Sequence, residues 1–425
     1  MERYEYLTVG FIAVIAVLTG LLSTSQPLLS FLVSNSFEAG YTAVYMVWIT
    51  WWALVLGFSI AGAVEAWVPE RKVSKRLEGE GFTSLGTAAF LGFVSSSCSY
   101  SAIATAKNLF KKGGSAAASL GAFMFASTNL VIEIGLVIYI LLGWQFLVAN
   151  FVGGLLLILL MGLGFRFLVP DKVIEKAREH ASSGKELVVD PVCGMDVDPD
   201  ESDHVEDVKG ETFYFCSKSC SESFDPEDVE VGVRENITGL KGWKKLADKQ
   251  WKEWSMLYED IAAGFILAGI IGAFVPQQIW TSLLGGQYLS LPVLLLWSAI
   301  VGTVIGVATF VCSVGNVPFG AVLWSKGFPF GSILSYIYAD LIVLPIMKAY
   351  KDYYGKKFAA LLSAMIFAAA VVVGVLTHLI FLSTGFIPEP STVEITGQTI
   401  KWGYKAILNI IFTAVFIALY YLHRN

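Results

Sequence analysis

Ser84–Lys112 reads SLGTAAFLGFVSSSCSYSAIATAKNLFKK. The apolar run from Ser84 to Ser97 is 14 residues long. As a helix it covers about 21 Å, less than a hydrocarbon core of about 30 Å. It ends in Ser95-Ser96-Ser97-Cys98-Ser99, a polar stretch where a helix can break. Irregular backbone at membrane depth is tolerated only against protein or water. A basic cluster, Arg71, Lys72, Lys75 and Arg76, precedes the run, and Lys107, Lys111 and Lys112 follow it. Basic residues gather on the cytoplasmic side of a membrane. If residues 84–109 crossed the membrane, the two clusters would lie on opposite sides. A re-entrant hairpin over 84–109 keeps both inside; ten plain spans are the alternative.

Outward from this stretch, apolar segments recur at 7–33, 41–68, 115–143, 144–169, 256–281, 289–325, 330–350, 357–384 and 403–422. Only 15% of the 425 residues are charged, against about 25% in a soluble domain. Leu7–Leu32 reads as a retained span rather than a signal peptide. The charge is segregated. Ala181–Glu235 holds 16 Asp/Glu and 4 Lys/Arg, a net −12 that leaves +6 for the rest of the chain. Such an acidic stretch argues against a nucleic-acid partner. With the hairpin, Lys172, Lys176, Arg178, the lysines from Lys241 to Lys252, Lys348, Lys351, Lys356, Lys357 and Arg424 all fall inside. The expected location is the cytoplasmic membrane, with the acidic insert and both termini on its inner side.

The chain repeats itself. Gly57-Phe58, Ala61-Gly62 and Ala66-Trp67-Val68-Pro69 match Gly264-Phe265, Ala268-Gly269 and Ala273-Phe274-Val275-Pro276 at a constant offset of 207. Cys98-Ser99 precedes Lys112-Gly113 at the spacing with which Cys312-Ser313 precedes Lys326-Gly327. With Pro69 inside and Pro276 outside, the halves are inverted copies. Inverted repeats with discontinuous helices mark transporters, whose sites lie where the breaks meet. The fold class expected is an all-α polytopic membrane protein of two inverted repeats, whose re-entrant or broken helices carry Cys98 and Cys312, with a small α+β soluble insert. The boundaries expected are 1–180, 187–235 and 236–425.

Cys98 and Cys312 hold matched positions and begin polar stretches, Cys98-Ser99 and Cys312-Ser313-Val314-Gly315-Asn316. Hairpins from opposite faces would bring the two thiols together, and thiolates select soft ions such as a trivalent arsenical, copper(I) or zinc. A lone membrane cysteine is more often a small packing residue. Asn129, Glu133 and Asp340 are expensive polar residues within apolar segments. Ser99, Ser313, Asn316, Asn129, Asp340 and Glu133 join the cysteines as candidate substrate ligands, and Glu133 and Asp340 are also candidate proton carriers. Glu65 lies near a membrane boundary, and His378 is read as an interface residue.

The insert contains Asp190-Pro191-Val192-Cys193-Gly194-Met195, then Tyr214-Phe215-Cys216-Ser217-Lys218-Ser219-Cys220 and Phe224. Cys216 and Cys220 share a face if a helix starts there. With Cys193 they are candidate ligands for zinc or copper(I), and His204 is a possible fourth. These motifs resemble the YHS domain, related to TRASH-type metal modules, over residues 190–235. The resemblance implies metal handling. Outside the insert, Cys98-Ser99 with Lys112-Gly113, Cys312-Ser313 with Lys326-Gly327, and Asn129 and Asp340 resemble the ArsP-type predicted permease family. That resemblance implies export of trivalent organoarsenicals through cysteine thiols. Where such proteins often carry Cys-x-Cys, this chain has Ser96-Ser97-Cys98.

The function read from the sequence is efflux of a thiophilic metal or metalloid: an organoarsenical, arsenite, copper or zinc. No Gly-x-x-x-x-Gly-Lys-Ser/Thr loop is present, so the chain reads as an ion-driven permease rather than an enzyme. A metal sensor or scaffold, and a thiol-redox membrane protein, are the other classes.

Overall fold

The computed structural model describes residues 28–67, 82–95, 99–111, 113–182, 188–189, 196–197, 199, 202–208, 211–224, 239–285, 289–309, 313–389 and 402–424. The first repeat comprises α1 (Leu28–Trp67), α2 (Phe82–Ser95), α3 (Ser99–Lys111), α4 (Ala117–Asn129), α5 (Ile132–Leu141) and α6 (Trp144–Phe167). A short amphipathic helix, α7 (Asp171–Ser182), leads into the insert. The second repeat comprises α9 (Leu240–Phe274), α10 (Gln277–Leu283), α11 (Leu291–Thr309), α12 (Ser313–Ser325), α13 (Phe330–Ile342), α14 (Leu344–Tyr354) and α15 (Lys356–Thr384). A last helix, α16 (Tyr404–Arg424), follows. Six described helices are long and apolar enough to cross a membrane, and two bent pairs, α4–α5 and α13–α14, qualify when each is taken as one span.

The four helices α2, α3, α11 and α12 decide the topology. A Cβ on Gly162, near the end of α6, would lie 3.2 Å from Leu85 at the start of α2. The end of α3 lies at that same level. Arg178 of α7 sits over the Phe110 ring and donates to the Gly114 carbonyl at 3.0 Å. Phe110 packs on Phe358, as does Phe165 of α6. The α2–α3 pair thus enters and leaves at the face where α6 ends. The α11–α12 pair does the reverse. Trp297 of α11 donates to the Leu283 carbonyl, and Gln277 of α10 donates to the Lys326 carbonyl just past α12, both at 2.8 Å. Both ends therefore lie beside α10, at the face that α9 reaches after leaving the insert side. The sequence expectation of two hairpins from opposite faces holds, although α11, at 19 residues, is long enough to cross.

The repeat is also visible in the backbone. Gly113 and Gly327 both take positive φ, +101° and +91°. At each, the glycine N–H bonds three residues back, to Phe110 and Trp324, and the next N–H bonds five back, to Leu109 and Leu323. These are identical Schellman caps, and they explain the glycine of each Lys-Gly pair, since a left-handed C′ residue favours glycine. The two bent spans break alike, at extended Val131 and Val343, by 50° and 45°. Pro345 in the first turn of α14 donates no N–H, which suits a helix start. Lys326 emerges on the face opposite the insert. Burial lowers the pKa of its ammonium, and nearby Glu38 acts the other way.

Two boundaries differ from the sequence reading. The expected turn between segments 7–33 and 41–68 is absent, and α1 runs unbroken through Ser34–Gly40. Its partner α9 explains this: Gly269 packs directly on the Ala39 backbone, and tertiary packing overrides weak helix formers. Residues 7–27 of the first segment lie outside the described residues. The segment expected to begin at residue 256 is the second half of a longer helix, α9, whose first half is the lysine-rich stretch before it. There, apolar residues at 240, 243, 246, 247, 251 and 254 form a stripe at helical spacing.

In the insert, β1 (Val188–Val189) pairs with β2 (Asp196–Val197), and β3 (His204–Val208) pairs antiparallel with β4 (Glu211–Phe215). Ser217 caps α8 (Lys218–Ser223), and Phe224 closes on Phe213 and Phe215.

The caps give a direct test. No atom lies within 4 Å of a Cβ built on Gly113 or on Gly86 of α2. Gly113→Ala should lose about 1–2 kcal/mol from left-handed strain alone, whereas Gly86→Ala should gain up to about 1 kcal/mol in helix propensity. Thermal unfolding in detergent reads both. Equal shifts would contradict the cap.

Candidate functional site

The N-termini of α3 and α12 meet head to head. Ser99, the first residue of α3, and Ser313, the first of α12, lie with their hydroxyls 2.9 Å apart. Both face one carboxylate. Ser313 Oγ donates to Asp340 Oδ2, which Ser99 Oγ approaches at 3.5 Å. Each hydroxyl has one proton. With Ser313 donating to Asp340, Ser99 donates to either the Ser313 oxygen or the carboxylate. Asn129 Nδ2 reaches Asp340 Oδ1 at 3.3 Å and Thr128 Oγ1 at 3.0 Å. Ser99, Ser313, Asn129 and Asp340 are all buried.

Local structure places each group. Asp340 lies in the 3₁₀ turn Tyr338–Ile342 that ends α13. Asn129 ends α4 at the matching break. Where a helix stops inside a protein its last carbonyls need donors, and Asn150 Nδ2 of α6 supplies one to the Asn129 carbonyl at 2.7 Å. The Tyr338 hydroxyl in turn donates to the Asn150 carbonyl at 2.9 Å. This line of contacts, Tyr338 to Asn150 to Asn129 to Asp340, ties α6 of one repeat to α13 of the other. A helix N-terminus carries about half a positive charge. Two of them converge here on one buried carboxylate, the arrangement expected where discontinuous helices form a transport site.

Further polar atoms around the cluster have no partner among the described residues: Asn129 Oδ1, Asn150 Oδ1 and Asn316 Nδ2. Asn316 lies one turn into α12, and its Oδ1 accepts from Tyr336 at 2.9 Å. Buried groups of this kind are costly unless a ligand or water satisfies them.

Four of the expected substrate ligands, Ser99, Ser313, Asn129 and Asp340, thus form one cluster, with Asn316 adjoining. Glu133 lies buried in the first turn of α5, just past the break, against Gly57 of α1; a Cβ on Gly57 would lie 2.5 Å from the Glu133 Cβ. Cys98, Cys312 and Cys193 lie outside the described residues, as does the Glu65 side chain. Cys98 and Cys312 each immediately precede, in sequence, a serine of the cluster. His378 accepts from the Gly331 N–H at 3.3 Å where α13 crosses α15, an interface role as expected. In the insert, Cys216 Sγ and Cys220 Sγ lie 3.7 Å apart. His204 pairs across the hairpin with Phe215. No group of three or more potential metal ligands is found among the described residues. The sequence reading passed over Asn150 and Tyr338. An asparagine inside the otherwise apolar α6 was a usable signal, because amides in hydrocarbon need partners.

A family model described as "Predicted permease" matches residues 35–379. The chain belongs to the predicted permease family. This permease is also 34% identical over 340 residues to the protein named "Putative permease Rv2963" of Mycobacterium tuberculosis, an alignment covering 79% of this chain and 75% of that one. No solved structure matches it. The matched region contains both hairpins and every residue of the cluster.

Asp340 provides the test. Asp340→Leu removes the acceptor of Ser313 and Asn129, and each buried group so orphaned costs about 1–3 kcal/mol. Asp340→Asn keeps an acceptor oxygen and should unfold at a temperature close to wild type. Thermal unfolding of the two purified variants checks this. An Asp340→Leu variant that unfolds at the wild-type temperature would show that the carboxylate does not hold the hairpin tips.

Proposed function

We propose that this permease exports a thiophilic metal or metalloid, namely a trivalent organoarsenical or arsenite, or copper or zinc, from the cytoplasm across the cytoplasmic membrane. One observation carries the reading: two half-helices from opposite faces meet at Ser99 and Ser313, and each serine directly follows a cysteine in the sequence. Two thiols from opposite hairpins make a soft site at the point that alternating movement of the repeats exposes first to one side and then to the other. Asp340 and Glu133 serve as proton-exchanging groups, which suits a chain with no nucleotide-binding loop.

The insert acts on the cytoplasmic side to capture or sense the same metal. Two thiolates bound at 2.3 Å to a tetrahedral zinc stand about 3.8 Å apart. The Cys216–Cys220 separation of 3.7 Å fits a shared zinc or copper(I), with Cys193 as the third ligand. The resemblance to YHS domains supports this assignment.

Purified protein in liposomes separates the readings. Vesicles loaded with arsenite, a trivalent organoarsenical, copper(I) or zinc should release at least one cargo faster than protein-free vesicles. Cys98→Ser and Cys312→Ser should each abolish release. Deleting residues 187–235 should raise the half-saturating concentration and leave measurable transport. Release of none of these cargoes would sink the proposal, and normal transport by both cysteine variants would move the site elsewhere.

A further inference from the structure

We propose that the cluster of Ser99, Ser313, Asn129 and Asp340 binds a sodium ion, which the permease exchanges for its cargo. This rests on the reading of the cluster as the transport site and adds a coupling ion to it. The first observation is charge. Asp340 is buried, and the side chains that reach its carboxylate, Ser313, Ser99 and Asn129, are all neutral. Among the described residues no lysine, arginine or histidine pairs with it. A carboxylate in this position at membrane depth is costly.

The helix ends do not neutralise it. At each of the four breaks one helix ends and the next begins: Ser95 and Ser99, Thr309 and Ser313, Asn129 and Ile132, Ile342 and Leu344. A C-terminal end carries about half a negative charge and an N-terminal end about half a positive one. The half-charges cancel in pairs. The N-termini of α3 and α12 orient the carboxylate, and its whole unit of charge remains. One monovalent cation balances it, whereas a divalent ion leaves an excess. Half-helix ends and unwound backbone near the midplane are where secondary transporters hold sodium or protons. A proton and sodium are then alternative partners of one carboxylate.

The second observation is the set of oxygens. Hard cations take carboxylate, hydroxyl and amide oxygens. Ser99 Oγ lies 2.9 Å from Ser313 Oγ and 3.5 Å from Asp340 Oδ2, and Ser313 Oγ touches Asp340 Oδ2. The three oxygens form one triangular face. Oxygens bound at right angles about 2.4 Å from one hard ion stand about 3.4 Å apart, so this face suits a small cation better than potassium. A serine oxygen has two lone pairs, so Ser313 can hold a cation while still donating to Asp340. Asn129 Nδ2 faces the same carboxylate, and Asn129 Oδ1 has no partner among the described residues. Asn150 Oδ1, beside it, has none either. Both are acceptors, and the uncompensated carboxylate beside them favours a cation over a neutral donor.

Binding of radioactive sodium to the purified full-length protein, without cargo, tests the site. Binding should saturate and be displaced by unlabelled sodium chloride but not by equal potassium or choline chloride. Asp340→Asn should weaken it about a hundredfold or more. Ser99→Ala and Ser313→Ala should each weaken it about tenfold, and Gly86→Ala should leave it unchanged. No saturable binding, equal displacement by potassium, or wild-type affinity in Asp340→Asn would overturn the proposal. Should Asp340→Asn not fold, wild-type affinity in both serine variants overturns it. Cargo-loaded liposomes then test the exchange: release should be faster into sodium chloride than into choline chloride, and equal rates would contradict it. The binding assay contains no cargo, so its failure leaves the export reading standing, whereas sodium binding by protein that releases no cargo sinks the export reading alone.

Discussion

A single carboxylate shared by two half-helices governs this structure. Asp340 is buried among membrane spans, where an isolated charge is costly. It is accommodated because the N-termini of α3 and α12 both point at it and because Ser313 and Asn129 donate to it. Removing any one of these leaves a polar group stranded at depth. Both helices therefore begin here, and each runs back to the face from which its hairpin came.

The remaining features make that convergence possible. Gly264 of α9 lies directly against Gly315 of α12, where a Cβ would sit 2.7 Å from the Gly315 Cα, so a span and a half-helix pack backbone to backbone. In the first repeat the matching residue, Gly57, serves α5 instead, close against Glu133. The repeats are thus related in backbone plan and differ in chemistry: α13 brings Asp340 to the shared cluster, whereas its counterpart α4 brings Asn129. An inverted pair of scaffolds thus contributes unlike groups to one shared cluster.

Much of this was legible in the sequence because bilayers penalise unsatisfied backbone. The 14-residue run before Ser95-Ser96-Ser97-Cys98 was too short to cross, and the lysines on either side gave the direction of return. The spacing from Cys-Ser to Lys-Gly in both halves translated into identical caps at Gly113 and Gly327. Other features were hidden. The helix through Ser34–Gly40 depends on Gly269 of a distant span, and the apolar segment was begun at residue 256 because the lysines before it masked the apolar stripe beneath them. Asn150 was missed because its task, satisfying the Asn129 carbonyl, exists only once α4 is known to break there.

The central claim is that the two hairpins enter from opposite faces and meet at Asp340. Sided labelling tests it most directly. In a background with the five native cysteines replaced by serine, single cysteines at Thr83 and Lys111 mark the ends of the first hairpin, and single cysteines at Ser290 and Lys326 mark the ends of the second. With a membrane-impermeant maleimide on right-side-out and inverted vesicles, positions 83 and 111 should react only from one side and positions 290 and 326 only from the other. Labelling of 83 and 111 from opposite sides would make α2–α3 an ordinary span and contradict the account.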